Sequence, residues 1–304
     1  MNIDKLLNNQ IIIVYIVPLV LGLLSVLSFQ PFNLVFINFI IIPSLFLILT
    51  HVTKKSKNVY RKKPFLRNLF FVGYLFGIGF FLSGTFWISY SLTFDDTFKF
   101  LIPIAIIFIP LFLGLFFGLS TLISGPFIKN NFTSILFFCS SLAFLDFVRG
   151  KILTGFPWNI WSYSWSWFPE ILQLVNPIGL YAFNLLSITI FCFPLLLFFK
   201  KRNCNFFIFL IFIFLFFFNY IHGSSEINKN ESLNNSKIKQ NNLINIKIVS
   251  PNFDLKYDLS NEKLIIQLDK LIKYSEPNKS KKTLFIWPEG VFTGYDFIQI
   301  SEFE

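Results

Sequence analysis

The residues with the clearest chemical potential are Phe285-Ile286-Trp287-Pro288-Glu289, near the end of the 304-residue sequence. A carboxylate that leaves an apolar strand after a proline can take up and return protons, as a general acid or base does. Here that carboxylate lies in a polar region that follows several long apolar segments. The pattern indicates a hydrolase-like catalytic domain tethered to a membrane, with Glu289 as the candidate catalytic residue.

Other nucleophiles and metal ligands are poorly placed for chemistry. Cys139, Cys192 and Cys204 lie in or beside apolar segments, where an unactivated thiol behaves as a small hydrophobic group. With no cysteine in the polar region, neither a disulfide framework nor a metal site is indicated. His51 and His222 lie at the edges of apolar segments, so a Ser-His or metal mechanism has no support. We therefore predict no metal and no cofactor.

The composition is that of a membrane protein. Apolar residues make up 54% of the chain and charged residues only 14%, whereas soluble domains carry about 25% charged residues. The net charge of +10 comes from basic residues in short loops between apolar segments. That distribution is typical of the cytoplasmic face of a membrane protein, so we predict no nucleic-acid partner.

The apolar segments predict a polytopic α-helical membrane bundle of about seven transmembrane helices. Most segments reach the roughly 17–25 residues that a helix needs to cross the hydrocarbon core. They cover residues 11–29, 33–50, 69–92, 101–124, 132–148, 178–199 and 205–221.

The loop charges predict the orientation of this bundle. Basic residues are concentrated in alternate loops, which predicts a cytoplasmic N-terminus and places the chain after residue 222 outside the cytoplasm. The outer loops hold Lys99, Arg149 and Lys151. The inner segments hold Lys5, Lys54, Lys55, Lys57, Arg61, Lys62, Lys63, Arg67, Lys129, Lys200, Lys201 and Arg202.

Three regions follow from the change in composition along the chain. Residues 1–221 are the transmembrane domain, 222–244 are an Asn-, Ser- and Lys-rich linker, and 245–304 begin a third region. In the third region we expect a strand at 244–250, a helix at 259–274 and a strand at 283–287. The helix would place Leu264, Leu268, Leu271 and Ile272 on one face. Strand, helix and strand in this order open an α/β layered domain, whose sites form at the carboxyl ends of the strands.

Two clusters near the fifth and sixth apolar segments have structural and functional interpretations. Asp146 and Arg149 are three residues apart, so they can share a helix face as a structural pair. A charge inside a membrane segment is also a functional candidate. The tryptophans between the two segments predict an aromatic belt at the outer interface, with lining of a lipid entry as the alternative. They are Trp158, Trp161, Trp165 and Trp167.

Several motifs together resemble the apolipoprotein N-acyltransferase family, whose members join a membrane bundle to a nitrilase-type domain. In the polar region, residues 246–252 and 285–289 look like the start of the nitrilase-type domain, and Thr293-Gly294-Tyr295 continues that pattern. In the membrane region the matching segments are Ser28-Phe29-Gln30-Pro31-Phe32, residues 77–79 and 86–88, Asp146-Phe147-Val148-Arg149-Gly150, and Thr154-Gly155-Phe156-Pro157-Trp158 with Tyr163.

The resemblance implies an activity and its participants. The family transfers an acyl chain from a phospholipid to the N-terminal amine of a diacylglyceryl-cysteine lipoprotein, through a thioester on a catalytic Cys, in the bacterial inner membrane. It implies a Glu-Lys-Cys triad, of which Glu289 matches the first member. Trp158 and Tyr163 are the candidate substrate- or lipid-binding residues. Phospholipid, lipoprotein and membrane are the implied partners.

The remaining triad members have no match in the sequence. We expect the Lys and Cys, and a final anchoring helix, to lie beyond residue 304, so the chain resembles an N-terminal fragment that is inactive alone. One alternative is a split enzyme whose C-terminal half is separately encoded. The others are an inactive membrane remnant and a membrane-bound amidase of the nitrilase superfamily.

Overall fold

The chain folds into two compact units. In a computed structural model the first unit comprises Met1–Ser89 and Pro103–Asn228, and the second Tyr90–Ile102 and Lys229–Glu304. The structure describes residues 9–57, 64–199, 202–237, 244–253, 260–278, 280 and 282–292. The predicted Thr293-Gly294-Tyr295 motif and several of the basic residues that argue for the orientation therefore lie outside the described residues.

All seven apolar segments are helical in the structure. Among the described residues, six helical spans are long and apolar enough to cross a membrane, and the first segment forms a shorter apolar helix. The predicted membrane bundle is thus confirmed. Its main helices are α1 (Ile12–Ser28), α2 (Asn38–Lys57), α3 (Pro64–Thr85), α4 (Ile102–Ser124), α5 (Phe132–Arg149), α6 (Leu180–Cys192) and α7 (Arg202–Lys237).

Helices α1 and α3 pack backbone against backbone. Gly22 of α1 lies against the carbonyl oxygen of Phe76 and the amide nitrogen of Phe80, and Gly79 of α3 lies against the carbonyl oxygen of Leu19. A side chain at either glycine would overlap the backbone of the other helix. Small residues permit this close approach, which replaces the hydrophobic drive that helices lack inside a bilayer.

The seventh apolar segment forms a longer helix than the sequence predicts. Helix α7 continues to Lys237, so the first part of the interpreted 222–244 linker is helical. A helix that has already nucleated adds residues at little cost, so Asn, Ser and Lys extend it although they would not start one. The predicted domain boundary itself remains a prediction.

The second unit contains the predicted strand, helix and strand. Strand β1 (Asn245–Ile248) pairs in parallel with β2 (Thr283–Ile286), and helix α8 (Asn261–Ser275) connects them. The register aligns Asn245 with Thr283 and Ile248 with Ile286, so the carboxyl ends of both strands meet at one edge.

Helix α8 buries three of the four residues that the sequence predicts to share one face. Leu264, Leu268 and Leu271 are buried, whereas Ile272 is 39% exposed. The buried positions are spaced by four and three residues, which defines one stripe on the helix. Ile272 is four residues from Leu268 and lies about 40° from it around the helix axis, so it shares the predicted face but stands at its edge.

We expect Gly22→Ile to destabilise the bundle, because the new side chain would collide with the α3 backbone. Overpacking of this kind costs about 1–3 kcal/mol or more. Thermal unfolding of the purified protein in detergent measures the effect. Val20→Ile is the matched control, since Val20 lies on the same helix and is 44% exposed. Equal melting temperatures for the two variants would contradict the close helix contact.

Candidate functional site

The sequence-predicted site residues occur in both units. Glu289 belongs to the second unit, whereas Trp158 and Tyr163 belong to the first. The first unit also contains a buried cluster around the predicted Asp146–Arg149 pair.

Glu289 lies just beyond the carboxyl end of β2. Strand β2 ends at Ile286, whose carbonyl oxygen accepts a hydrogen bond from the amide of Val249, just after β1, at 3.0 Å. Pro288 and Glu289 follow, and Glu289 is exposed in a turn where Gly290 adopts a φ of 73°. Proline offers no amide donor to extend the ladder, and the positive φ suits glycine. The chain therefore leaves the sheet here with the carboxylate open to solvent.

Trp287 anchors this turn to helix α8. Its indole Nε1 donates a hydrogen bond to Oγ of Ser275, the last residue of α8, at 2.9 Å. Its ring also makes an edge-on contact with Phe292, with centroids 6.3 Å apart. Ser275 is buried, so the bond satisfies a hydroxyl that would otherwise lack a partner. Within the Trp-Pro-Glu segment, Trp287 is therefore fixed by its contacts, whereas the Glu289 carboxylate is exposed.

A small cavity lies at the carboxyl end of β1. It has a volume of about 260 Å³ and is lined by residues 247–251 of the strand end together with Tyr274 of α8. Crevices at the carboxyl ends of parallel strands are the usual ligand sites of α/β sheets. Lys247 in its wall is paired with Glu276, Nζ to Oε2, at 2.8 Å. That hydrogen bond from Lys247 lowers the pKa of Glu276.

In the first unit, Asp146 and Arg149 form the predicted pair. Oδ1 of Asp146 accepts a hydrogen bond from Nη2 of Arg149 at 3.0 Å, and both side chains are almost fully buried. The i, i+3 spacing on α5 brings the two groups together, so the predicted contact between them is confirmed. The second oxygen, Oδ2, accepts a hydrogen bond from Nδ2 of Asn184 on α6 at 2.9 Å.

Arg149 connects the end of α5 to the irregular chain that follows. Its Nη1 donates to the carbonyl oxygens of Phe156 and Trp158, each at 2.7 Å. Its guanidinium carbon lies 5.0 Å from the centre of the Phe81 ring on α3. The planar, permanently charged guanidinium suits such simultaneous contacts better than lysine would. One side chain therefore fixes α5, the 150–158 segment and α3 together.

Asn184 extends the cluster to the next short helix and was not foreseen from the sequence. Its Oδ1 accepts a hydrogen bond from the amide of Ser162 at 3.2 Å, while its Nδ2 donates to Oδ2 of Asp146. Asn184 is completely buried. An asparagine inside an otherwise apolar helix is a usable signal, because a buried amide needs partners for both of its ends.

The four tryptophans divide into two pairs. Trp161 and Trp165 are buried in the core, so their interpretation as interface-belt residues is wrong. Trp161 stacks on Phe80 with centroids 5.1 Å apart. Trp165 donates from Nε1 to Oγ of Ser187 at 3.1 Å. Both rings belong to the short 3-10 helix Trp161–Trp165.

Trp158 and Tyr163 lie near this cluster and keep access to the surface. Trp158 is 51% exposed and packs edge-on against Trp87 with centroids 6.2 Å apart. Tyr163 is half-buried against the core. Burial raises the pKa of the Tyr163 phenol, and the charge of Arg149 acts in the opposite direction. A role in lipid binding remains a prediction for both residues.

The two cysteines that the structure describes in detail are enclosed. Cys139 and Cys192 are free thiols with no exposed surface. Such thiols are not reached by a substrate in this structure. The side chain of Cys204 is outside the described part of the chain.

Comparison with known proteins shows that the sequence is similar to apolipoprotein N-acyltransferases. The sequence profile of the apolipoprotein N-acyltransferase N-terminal domain matches residues 21–193. An apolipoprotein N-acyltransferase of Brucella melitensis is 28% identical over 278 residues, which cover 88% of this chain and 50% of the relative. Proteins of the same name from Rhodopseudomonas palustris and Rickettsia prowazekii are 33% and 34% identical over 60% and 58% of this chain, and over 33% of their own lengths. The chain spans half the length, or less, of these relatives.

We expect Arg149→Met to destabilise the first unit by about 3–5 kcal/mol, because it leaves the Asp146 carboxylate buried without its counter-charge. Thermal unfolding in detergent measures the loss. The double variant Asp146→Leu/Arg149→Met should recover part of it, since no unpaired charge remains. Lys151→Met, at an exposed neighbouring position, serves as the control. Strict additivity of the two single changes would show that the pair is not coupled.

Proposed function

We propose, from the premise that this chain belongs to the apolipoprotein N-acyltransferase family, that it supplies the membrane bundle and the first catalytic carboxylate of such an enzyme. The proposed reaction moves an acyl chain from a phospholipid to the N-terminal amine of a diacylglyceryl-cysteine lipoprotein. The observation that carries the proposal is the family match over residues 21–193, most of which belong to the helical first unit.

In the proposed mechanism Glu289 is the general acid and base of a nitrilase-type site. A Cys thiol gives its proton to the carboxylate and attacks the ester carbonyl of the phospholipid, forming a thioester. Glu289 returns the proton to the departing lysophospholipid oxygen. The lipoprotein amine then attacks the thioester and gives a proton to Glu289, which passes it to the departing Cys thiolate, so that the thiol and the carboxylate are regenerated. A Lys stabilises the oxyanion in both steps.

Support for Glu289 comes from its position and its surroundings. It stands at the carboxyl end of a parallel strand, exposed, on a turn held by the Trp287–Ser275 hydrogen bond. The Cys and Lys have no counterpart in the matching segments of residues 1–304, so the proposal assigns them to further polypeptide, continuous with this chain or separately encoded.

Lipid contact is proposed for the region around Trp158 and Tyr163. Arg149 fixes the backbone at Trp158, while the indole itself stays half exposed beside Trp87. Amphipathic aromatic rings favour the headgroup level of a bilayer. The proposed membrane is the bacterial inner membrane, with the second unit on its outer side.

The proposed orientation predicts the accessibility of two polar regions. In intact cells, an impermeant thiol reagent should label Ser280→Cys but not Lys54→Cys, in a background with the native cysteines replaced by serine. Both positions are exposed in the structure. Permeabilised cells, in which both variants should react, provide the control. Labelling of Lys54→Cys but not of Ser280→Cys in intact cells would contradict the proposed orientation and support the opposite one.

The proposed role of Glu289 predicts the outcome of complementation in trans. This chain would be co-expressed with the C-terminal part of a full-length relative, in cells depleted of their own acyltransferase. Lipoprotein N-acylation, followed by mass spectrometry, should be restored. Glu289→Gln keeps the size of the side chain but removes the proton acceptor, so it should lower the restored activity by several powers of ten.

The matched control is Glu276→Gln, which changes an exposed carboxylate of the same unit that is paired with Lys247. It should leave N-acylation almost unchanged. Restored activity that survives Glu289→Gln would reject the role of Glu289. Absence of restoration despite stable expression of both parts would favour an inactive remnant.

A further inference from the structure

The buried seam between α5 and α6 contains the two free thiols that the structure describes in detail. Cys139 on α5 and Cys192, the last residue of α6, have no exposed surface. Both belong to the hydrophobic core, together with Ile135, Phe138 and Ile188. Neither thiol takes part in the proposed acyl transfer, so both are available for other chemistry.

The two thiols lie next to each other. Sγ of Cys139 donates a hydrogen bond across the seam to the carbonyl oxygen of Ile188 on α6, at 3.8 Å. Cys192 follows Ile188 by one turn on the same helix. A side-chain hydrogen bond joins the thiols of Cys192 and Cys139 directly. The two sulfur atoms are therefore neighbours between the helices.

The register of the two helices supports this contact independently. The helices also meet where Nδ2 of Asn184 donates to Oδ2 of Asp146 at 2.9 Å. Asp146 lies about two turns after Cys139 on α5, and Asn184 lies about two turns before Cys192 on α6. The contacts progress in opposite directions along the two helices, so the helices are antiparallel. The thiol pair and the Asp146–Asn184 bond therefore lie on one seam, about two turns apart.

The surroundings of the thiol pair favour a disulfide over a metal site. Structural zinc takes four protein ligands, whereas the described residues contain no group of three or more His, Cys, Asp and Glu side chains that could hold a metal ion. Two thiolates around a single monovalent ion would leave a net negative charge in the apolar core, which is costly. A disulfide is uncharged and needs no further partner, so it suits this seam.

Disulfide formation requires an oxidant that can enter an apolar seam, and a small uncharged peroxide such as hydrogen peroxide meets this requirement. One thiol gives up its proton and attacks a peroxide oxygen, so that the O–O bond breaks and a sulfenic acid and water form. The second thiol attacks the sulfenic sulfur, forms the S–S bond and releases a second water. Two thiols and one hydrogen peroxide thus give one disulfide and two waters. The sulfur atoms are oxidised and the peroxide oxygens are reduced.

We propose that Cys139 and Cys192 form a dithiol that peroxide oxidises to an intramolecular disulfide, and that this cross-link fixes α5 to α6. Enclosed thiols stay mostly protonated, so the oxidation is slow. The disulfide is equally enclosed, so water-soluble reductants do not reach it and the cross-link persists. It holds together the helices that the Asp146–Asn184 bond also joins. This modification involves only the first unit and does not depend on acyl transfer or on Glu289.

Counting free thiols before and after oxidation tests the proposal. The purified chain with Cys204→Ser keeps only the pair. It would be treated with hydrogen peroxide in detergent, denatured, alkylated with N-ethylmaleimide and analysed by mass spectrometry. We expect two maleimides on the untreated chain, and none on the oxidised chain, whose peptides containing Cys139 and Cys192 should be linked.

Two further measurements follow the cross-link in the same sample. A charged phosphine reductant should restore the two thiols only after the chain is denatured, because the folded chain encloses the disulfide. The oxidised chain should unfold about 5 °C or more above the reduced chain, since the cross-link restricts the unfolded state. Equal unfolding temperatures for a fully cross-linked and a reduced chain would contradict a disulfide that fits the native seam.

Two control variants, both with Cys204→Ser, separate the paired geometry from burial alone. Cys192→Ala/Ser187→Cys keeps two buried thiols on the same helices, but position 187 faces Trp165, whose Nε1 donates to Oγ of Ser187 at 3.1 Å. It should form no intramolecular disulfide. Lys54→Cys, exposed and placed in a chain without the native pair, shows that the peroxide is active.

The outcomes decide the proposal. Where Lys54→Cys is oxidised but the native pair keeps both maleimides, the proposal is overturned. Conversion of the two thiols to separate sulfinic acids, without a linked peptide, would overturn it as well. An equal yield of disulfide from the control with the thiol at position 187 would reject the paired geometry.

Discussion

The arrangement of the helical unit depends on the burial of one positive charge. Arg149 is almost fully buried. Removing a guanidinium from water costs free energy unless its N–H groups find acceptors and its charge is paired with an opposite charge. Asp146 matches the charge through Nη2, and the carbonyl oxygens of Phe156 and Trp158 accept from Nη1, while Nε is buried without a hydrogen-bond partner among the described residues. Phe156 and Trp158 belong to the segment that follows α5, and Asp146 is itself held by a hydrogen bond from Asn184 on α6. The requirement to satisfy Arg149 therefore sets the path of the chain after α5.

That path explains how an irregular segment persists among packed helices. Between α5 and α6 the backbone forms only short helices, and unsatisfied backbone groups would be costly away from water. Arg149 satisfies two carbonyl oxygens there, and Asn184 satisfies the amide of Ser162. With the backbone fixed, Trp161 and Trp165 are directed into the core while Trp158 stays at the surface. The exposed aromatic residues proposed to contact lipid thus depend on polar groups that are themselves hidden.

The second unit is stabilised by the packing of a helix and two strands rather than by a buried charge. Its two parallel strands are covered on one side by α8, and their other side exposes Ile246, Ile248 and Leu284. Two strands with one helix bury little apolar surface, and such small sheets are marginal alone. Glu289, in the turn just after β2, is also exposed, as its proposed role in proton transfer requires.

The sequence by itself determined the local features of this protein. Hydrophobic length predicted the seven apolar helices, alternation and turn residues predicted the strand, helix and strand, and i, i+3 spacing predicted the Asp146–Arg149 pair. These features depend on neighbours within a few residues, so a linear pattern contains them. Only the tertiary structure decided the features that join distant residues: Asn184 lies 38 positions from Asp146, and Gly22 meets Phe76 across two helices. It also decided which tryptophans are buried and how far α7 continues, because packing and helix propagation outweigh the composition of a short segment.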